Sequence, residues 1–305
     1  MRNILAILCI SFTSAAVINI PIDYSTIQDG INASATGDTV LVQSGYYYEN
    51  VIISAKNISV LGFDKETTII NGSNNGRPIT INNVDCPECV FGNFTLLNGN
   101  AYGSGAEDDG GGGYCRFSNL TLFELLILDN RAWDNGGGLY IAGGNVNASS
   151  IVISGNQSNC GGGIHTTENA YFNLTDSQII NNSSDPTCQG GGVNNGGGLS
   201  IYQNVLIANN SGHDGGGVIC RDSECQLDNV TIAQNQSGNN TGGLYSQGAD
   251  VSLKNVIIFD NEGAEISLHS GSVAVTYSDI QSGWSGEGNI TSVPLFVDVD
   301  NGDYH

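Results

Sequence analysis

The stretch Asp134–Ile141, DNGGGLYI, places three consecutive glycines directly before an apolar, β-prone triplet. Glycine loses more backbone freedom on folding than any other residue, so a run of three is unfavourable to order. Related runs recur along the chain as GGGGYC (110–115), GGGIHT (161–166), GGGVNN (190–195), GGGVIC (215–220) and GGLYS (242–246). The recurrence indicates a repeated structural unit that requires these glycines.

A second motif, an aliphatic residue followed by two residues and an asparagine, accompanies the glycine runs. It reads LNGN, ILDN, ISGN, IINN, IANN, IAQN and IFDN, with its asparagines at Asn100, Asn130, Asn156, Asn182, Asn210, Asn235 and Asn261. Successive asparagines are 25 to 30 residues apart, with 26 the commonest step. A fixed period of this length predicts a repeat architecture.

Each repeat contains about three short β segments, separated by turn residues and without helical periodicity. Val251–Leu253 and Val256–Ile258 are two such segments of one repeat. A single unit cannot bury its own apolar face, so the units must stack. The sequence therefore predicts an all-β fold, a single parallel β-helix of nine or ten turns.

Stacking assigns structural roles to both motifs. We expect the asparagines to form an amide ladder along the axis and to adopt the left-handed backbone of a corner. We expect the leading glycines to make a tight corner, with positive φ. The predicted structural residues are Asn130, Asn156, Asn182, Asn210, Asn235, Asn261, Gly136, Gly161, Gly190 and Gly215.

The two ends differ from the repeats. Residues 1–16 combine Arg2, an apolar run and small residues at Ser14–Ala16, a pattern typical of a signal peptide. Residues 17–290 form the predicted β-helix domain, and 291–305 a less regular tail of a chain that we expect to be cut short. Ile27 and Ile31 lie at helical spacing and predict a short helix within 23–35 that caps the core.

Charge excludes several classes of function. The chain of 305 residues has a formal net charge of −22 and only eight Lys and Arg residues, with no basic cluster. Nucleic-acid binding and binding to an anionic membrane surface both require concentrated positive charge. No segment after the leader has the roughly 18 apolar residues of a transmembrane helix. An acidic surface instead suits divalent cations.

Export would place the cysteines in an oxidising compartment, where disulfides persist. Seven cysteines remain after the leader, so one thiol is free or pairs with another chain. Cys220 and Cys225 enclose four residues and are the candidate disulfide pair. Cys86 and Cys89 form CPEC, which we interpret as structural because no further metal ligands follow at a suitable spacing.

Acidic residues next to the glycine runs are candidate metal ligands. Asp109, Asp134 and Asp214 lie one or two positions before a run, so stacking would align them in a column able to hold Ca²⁺. Such a cation could bridge to an acidic polysaccharide. The alternative is ordinary turn chemistry, because Asp-Gly pairs are common in turns.

Four basic residues are candidate catalysts. Arg131 and Arg221 are candidate bases of a polysaccharide lyase, although an ion pair within CRDSEC also explains Arg221. His165 follows a glycine run and His213 lies beside Asp214. For both histidines the alternative is an ordinary turn residue.

Several segments resemble known proteins. YSTIQDGINASATGDTVLVQSGYYYENVIISAKNISVLG (24–62) resembles the opening of right-handed parallel β-helix proteins of the pectin-lyase-like superfamily. GYYYENV and TTIINGS (67–73) look like pectinesterase N-termini. The glycine and IxxN motifs resemble the repeats of polymorphic outer-membrane proteins, and PLFVDVDNGDYH resembles a segment that closes the β-helix in secreted bacterial proteins.

The departures from these families bear on activity. The catalytic strings of pectinesterases, polygalacturonases and pectate lyases are absent, so the resemblance transfers no catalytic residue to this chain. We therefore expect an exported, non-catalytic surface or extracellular protein that binds a glycan or a partner. The alternative is a pectate-lyase-like enzyme acting on acidic polysaccharide. The sequence leaves the oligomeric state open.

Overall fold

A computed structural model describes residues 15–103, 108–185, 187–239, 241–298 and 304. The predicted leader lies almost entirely outside the described residues, as does His305. The helix is α1 (Ile27–Ala33). The strands are β1 (Val17–Ile20), β2 (Thr39–Val42), β3 (Gly45–Tyr47), β4 (Val51–Ser54), β5 (Ser59–Gly62), β6 (Thr68–Asn71), β7 (Ile79–Asn82), β8 (Asp85–Leu97), β9 (Asn100–Ala101), β10 (Gly113–Leu128), β11 (Arg131–Ala132), β12 (Leu139–Ser154), β13 (Gln157–Ser158), β14 (Ile164–Thr167), β15 (Tyr171–Ile180), β16 (Ser183–Ser184), β17 (Val193–Gly196), β18 (Leu199–Ala208), β19 (Ser211–Gly212), β20 (Val218–Arg221), β21 (Glu224–Ala233), β22 (Gln236–Ser237), β23 (Leu244–Gln247), β24 (Ala249–Lys254), β25 (Ile257–Phe259), β26 (Ile266–Leu268), β27 (Gly271–Thr276) and β28 (Asp279–Ile280).

These strands wind into a parallel β-solenoid of about ten turns, which confirms the predicted fold. Pairing is parallel and in register from turn to turn: Leu125 pairs with Ile151, and Leu122 with Ala148. Inward side chains alternate with outward ones, and the inward Ile127, Ile153, Ile179 and similar residues stack into one continuous core. Each turn therefore completes the core of the next.

Six of the turns have four faces, best seen in β10 and β11. Phe117 and Glu124 have positive φ and bend β10, so that it contributes Gly113–Arg116 to the first face, Ser118–Phe123 to the second and Leu125–Leu128 to the third. β11 belongs to the fourth face, where it pairs with β9 and β13 in a separate six-stranded sheet. The glycine run follows β11 and leads back to the first face.

The motif asparagines form a buried ladder between the third and fourth faces. The Nδ2 of Asn130 donates to the Oδ1 of Asn156 at 3.0 Å, and the same bond joins each asparagine to the next as far as Asn261. The expectation that these asparagines adopt the left-handed backbone is wrong. Positive φ occurs at the preceding residue, such as Asp129 or Asn181, because the asparagine side chain must point inward.

The ladder is also shorter than the motif suggests. Asn100 of LNGN pairs with Arg131 on the fourth face, and Gly99 occupies the position equivalent to Asn130. Gly99 donates its backbone N–H to the Oδ1 of Asn130 at 2.7 Å and so begins the ladder. At the other end Asn261 donates its Nδ2 to the buried carboxylate of Glu265 at 2.6 Å.

The glycine runs are explained by close packing between turns. The first glycine of each of four runs, at Gly136, Gly161, Gly190 and Gly215, has φ between 58° and 74°. The next glycine faces backbone: a Cβ on Gly137 would lie 2.4 Å from the carbonyl oxygen of Gly162. Any side chain there would therefore force adjacent turns apart.

The N-terminal end of the core is covered by α1, within the predicted range. Thr26 is its N-cap and accepts a hydrogen bond from the backbone N–H of Asp29, while Ile27 and Ile31 are buried. No helix among the described residues is long and apolar enough to cross a membrane.

Three disulfides occur among the described cysteines. They join Cys86 to Cys89, Cys160 to Cys188, and the predicted pair Cys220 to Cys225. Cys115 is a free, buried thiol, and burial raises its pKa to about 12. It therefore stays protonated and packs as an apolar side chain.

Candidate functional site

The fourth face carries an open groove along the rod. The first residue of each of its strands points outward, and the second is small and buried against the glycine runs. The outward residues are Asn100, Arg131, Gln157, Ser183, Ser211 and Gln236. Six strands spaced by about 4.8 Å give this groove a length of about 24 Å.

Three adjoining hollows make up the groove. The central one has a volume of about 370 Å³ and is lined by Arg131, Trp133, Gln157, Asn159 and Asp185, among others. A hollow of about 430 Å³ lies at its N-terminal end, around Asn100 and Tyr102. A third, of about 260 Å³, continues past Ser211 and Gln236 towards the C-terminal end. The three hollows thus follow one another along the six strands of this face.

Two exposed aromatic residues form one wall of the groove. Tyr102 and Trp133 lie at the same position of successive turns, directly after β9 and β11, with 71% and 58% of their surfaces exposed. Their ring centroids are 5.3 Å apart in an edge-to-face arrangement. Exposing two large aromatic rings is unfavourable in water, so this pair is a candidate ligand platform.

The other residues of this wall are held in place by a disulfide and by hydrogen bonds. The Cys160–Cys188 disulfide joins adjacent turns beside Asn159 and Asp185. The Nδ2 of Asn159 donates to Asp134 at 3.4 Å, and Asp185 accepts hydrogen bonds from the backbone and hydroxyl of Thr187. These Thr187 bonds also hold the pKa of Asp185 below its ordinary value. The wall therefore presents an ionised carboxylate to the groove.

The first face carries a different feature, a stacked aromatic column. The guanidinium of Arg77 lies over the ring of Tyr114, which stacks on Tyr140 at 5.2 Å, and Tyr140 stacks on His165 at 5.5 Å. Tyr114 and Tyr140 are almost fully buried by these contacts. The ring faces are consumed by stacking, so this column offers little surface to a ligand.

His165 is a half-buried, neutral imidazole. Burial, followed by the nearby charge of Arg221, lowers its pKa to about 4. Its Nδ1 is buried and has no hydrogen-bond partner among the described residues. His165 and Arg221 both lie on the first face, where the Nε of Arg221 donates to Gln247 at 3.3 Å.

The other two candidate catalysts lie elsewhere. Arg131 projects into the groove on the fourth face. His213 lies in the turn before a glycine run, with its Nδ1 3.4 Å from the Oδ2 of Asp214. The structure therefore does not bring the four predicted catalytic residues into one site.

The predicted acidic column is also not formed. Asp109 pairs in position with Asn135 of the next turn, whereas Asp134 lies one position earlier, beside Asp108. The difference arises because Asp109 directly precedes its glycine run, whereas Asp134 lies two positions before Gly136. Asp214 is four turns away from Asp109, and the described residues contain no group of three His, Cys, Asp or Glu that could hold a metal.

Amide groups, rather than carboxylates, neighbour these aspartates. Asp109 accepts from the backbone N–H and the Nδ2 of Asn135 at 3.1 and 2.9 Å. Burial is the main cause of its raised pKa. Asp214 accepts from Gln189 and Asn239 at 3.2 and 3.0 Å. Both act as acceptors that tie adjacent turns together.

Sequence reasoning missed Tyr102 and Trp133. The sequence signal for Trp133 is an aromatic residue in the turn before a glycine run, directly before the metal-ligand candidate Asp134. Polar residues of the groove carry no such signal, because the chain is rich in Asn, Ser and Gln throughout.

No family model and no curated protein sequence matches the chain. Among solved structures, it is similar to a pectin methylesterase in complex with a hexasaccharide, with a TM-score of 0.45, 12% identity and 92% of each chain covered. It is also similar to the pectin methylesterase PemA from Erwinia chrysanthemi, with a TM-score of 0.34, 11% identity and the same coverage. These low identities and TM-scores do not establish a function, so the proposed function rests on the residues of this chain.

Proposed function

We propose that this is an exported protein that binds an extended polysaccharide in the groove of the fourth face. The observation that carries the proposal is the exposed Tyr102–Trp133 pair at the wall of a polar groove that runs along six turns. Binding sites combine apolar and aromatic surface with a few placed polar groups, and this groove has both.

The chemistry of the groove suits a sugar chain. A sugar ring presents C–H groups on its faces, which pack against aromatic rings, and hydroxyl groups at its edge, which need hydrogen-bond partners. Gln157 and Asn159 can both donate and accept, Asp185 accepts, and Arg131 donates. The same residues can bind the ligand through bridging water.

The shape of the groove favours a polymer over a small molecule. It is open to solvent and carries a polar side chain on each of its six strands, about 4.8 Å apart. A chain of sugars laid along the axis would meet these side chains repeatedly. Affinity is therefore expected to rise with the number of sugars until the ligand spans the groove.

Disulfides support the proposed location outside the cell. Three disulfides among the described residues are the pattern of a protein from an oxidising compartment. The leader in residues 1–16 and the likeness to polymorphic outer-membrane repeats point the same way, and both remain predictions. Detection of the mature protein in the cell exterior fractions would test this location.

The lyase alternative also remains a prediction, as does the expectation that the protein is non-catalytic. Arg131 is the candidate base that lies in the groove. Lyases create unsaturated products that absorb ultraviolet light, so the polysaccharides used for binding also report cleavage. Product formation that is lost in Arg131→Ala would establish the enzyme.

The binding proposal is tested with a panel of neutral and acidic polysaccharides in affinity electrophoresis, using wild-type protein, Trp133→Ala and Phe63→Ala. Phe63 is a matched control because 66% of its surface is exposed outside the groove. We expect Trp133→Ala to weaken binding by about 10- to 100-fold, as for a central aromatic contact. Equal binding by both variants, or no retardation by any polysaccharide, would reject the proposal.

A further inference from the structure

The charged residues that line the groove cancel one another. Among the described residues of its three hollows two are cations, Arg77 and Arg131, and two are anions, Asp185 and Glu262. These formal charges sum to zero, in a chain whose formal net charge is −22. A ligand that carries charge along its whole length would therefore find no complementary row of charges in the groove.

Of the two arginines, Arg131 is the one that a ligand would meet in full. The guanidinium of Arg77 lies 4.7 Å from the ring centroid of Tyr114. Burial raises the pKa of the neighbouring Asp109, and the charge of Arg77 opposes that rise, so Arg77 already acts on a carboxylate of this chain. Arg131 is exposed on β11 and lines the central hollow. The groove thus has one principal cation.

Carboxylates lie along the rest of the groove. Asp134 and Asp185 are exposed on its wall. Glu262 is exposed at the C-terminal hollow, where its carboxylate accepts the backbone N–H of Ser237 at 3.2 Å. Towards the C-terminal end a ligand would therefore meet negative charge.

The other outward groups of the groove are amides and hydroxyls. Every strand of the fourth face except β11 presents one of them, at Asn100, Gln157, Ser183, Ser211 and Gln236. Amides and hydroxyls both donate and accept hydrogen bonds, as sugar hydroxyls do. An ionised carboxylate only accepts, and Arg or Lys binds it most strongly. The lining therefore suits hydroxyl groups better than carboxylates.

We infer that the groove selects neutral polysaccharides over acidic ones. The inference rests on the proposed function and names its ligand class. A polyuronate carries one carboxylate on every sugar, so a chain that spans six strands would bring several negative charges to one principal cation. Each unmatched carboxylate would lose water without gaining a partner, and would also meet the negative potential of this chain. A neutral chain of sugars meets neither penalty.

The same charges bear on two other ligand classes. Arg131 lines the same hollow as Trp133, so a cationic polysaccharide would meet a like charge beside the aromatic platform. A neutral polysaccharide contains no uronate, which is the sugar that the lyase alternative would have to cleave. Selection of neutral ligands therefore favours binding over lyase activity.

Three chemical forms of the same polysaccharide test the inference. Soluble β-glucan, glucomannan and galactan are each used unmodified, with their primary hydroxyls oxidised to carboxylates, and with those carboxylates then methyl-esterified. The ester keeps the oxidised carbon and removes the charge, so it separates the effect of charge from that of the lost hydroxyl. Isothermal titration calorimetry measures the affinity of each form at low ionic strength and at ~0.15 M salt.

We expect the carboxylated form to bind about tenfold more weakly than the unmodified form, and the ester to recover most of this loss. Added salt should narrow the difference, because it screens repulsion between exposed charges. Asp185→Asn should also narrow the difference, by about two- to fivefold. Asp250→Asn is the control, because it removes the same charge from an exposed position on the second face and should behave like wild type.

The outcomes separate this inference from the proposed function. Equal or tighter binding of the carboxylated forms would overturn the inference, and so would an ester that binds as weakly as the carboxylate. Failure of all three polysaccharides to bind in any form would overturn it as well. The proposed function fails on a different result, when no member of the wider panel shows binding that depends on Trp133.

Discussion

The asparagine ladder and the groove lie next to each other in five successive turns, yet they differ in how strictly they repeat. The ladder position is Asn in six successive turns, from Asn130 to Asn261, and all six residues are buried. The groove position one residue later is Arg131 in one turn, Gln157 in the next and Ser183 in the third. Burial explains the contrast, because a buried amide needs a hydrogen-bonding partner above and below, whereas an outward side chain meets water.

The contrast separates what builds this protein from what it binds. Strict repetition marks the contacts between turns, where any departure leaves a buried polar group without a partner. Departures from the repeat on the outside, such as Trp133 before its glycine run, mark the candidate site. Substitutions on the two sides should therefore affect different properties.

The largest effect is expected from Asn182→Ala, in the middle of the ladder. The Oδ1 of Asn182 accepts from the backbone N–H and Nδ2 of Asn156, and its Nδ2 donates to the oxygens of Ile153 and Asn210. Removing it leaves several buried groups unpaired, so we expect a loss of about 3–6 kcal/mol in the free energy of unfolding. Chemical denaturation measures this loss.

Asn145→Ala is the control for the ladder. Asn145 is exposed on the outside of β12, and its replacement should change the free energy of unfolding by less than about 0.5 kcal/mol. A similar loss for both variants would show that the ladder has no special role.

A smaller loss is expected from Gly137→Ala, because a Cβ there meets the backbone of the next turn at two residues. The contact to the Gly162 oxygen would be 2.4 Å and that to the Gln157 oxygen 2.5 Å. We expect destabilisation of about 2–4 kcal/mol in thermal or chemical denaturation.

Gly37→Ala is the control that separates the effect of this close contact from the effect of backbone conformation. Gly37 has a φ of 91° and open space around its Cβ position, so only conformational strain of about 1–2 kcal/mol is expected. Gly137→Ala that destabilises no more than Gly37→Ala would contradict the packing explanation.

Glu265, the acceptor at the C-terminal end of the ladder, predicts a pH dependence of the free energy of unfolding. Burial raises the pKa of Glu265 above its ordinary value of 4.5, against the opposing hydrogen bonds from Asn261. The folded state thus holds this proton more tightly, and that stabilisation, complete below pH ~4.5, is lost as pH rises through the raised pKa. Glu265→Gln removes the titration, so the free energy of unfolding of the variant minus that of wild type should rise between pH ~4 and ~7. A difference that falls over this range would reject the assignment.

The smallest effect on stability is expected in the groove. Gln157 is exposed and lines the central hollow, so Gln157→Ala should change the free energy of unfolding by less than about 0.5 kcal/mol while weakening polysaccharide binding several-fold. Denaturation and affinity electrophoresis on the same preparation measure both. A variant that unfolds more easily and binds normally would reverse the proposed division between ladder and groove.

The fold could be predicted because the period and the two motifs reflect contacts between turns, which repeat by necessity. The positions of individual residues within a turn could not be predicted. Asn100 matches the motif but lies on the fourth face, because a motif of four residues does not fix its register against neighbouring turns. Asp109 and Asp134 fall in different columns because they lie one and two positions before their glycine runs, and Glu265 ends the ladder outside any repeated pattern.

The candidate site was less predictable for a related reason. Arg131 was identified from the sequence and lies in the groove, but Tyr102 and Trp133 gain their meaning only from the turn that exposes them side by side. His165 was a candidate catalyst in the sequence, with an ordinary turn residue as the alternative, and it lies half-buried on the first face, stacked on Tyr140.

Tryptophan fluorescence tests the central claim most directly, because the chain has two tryptophans and one of them lies in the groove. Trp284→Phe leaves Trp133 as the single reporter. Titration with a polysaccharide identified by affinity electrophoresis should shift the Trp133 emission to shorter wavelength, since a sugar ring over the indole excludes water. An unchanged spectrum at concentrations where the polysaccharide is bound would place the binding site outside the groove and contradict the account.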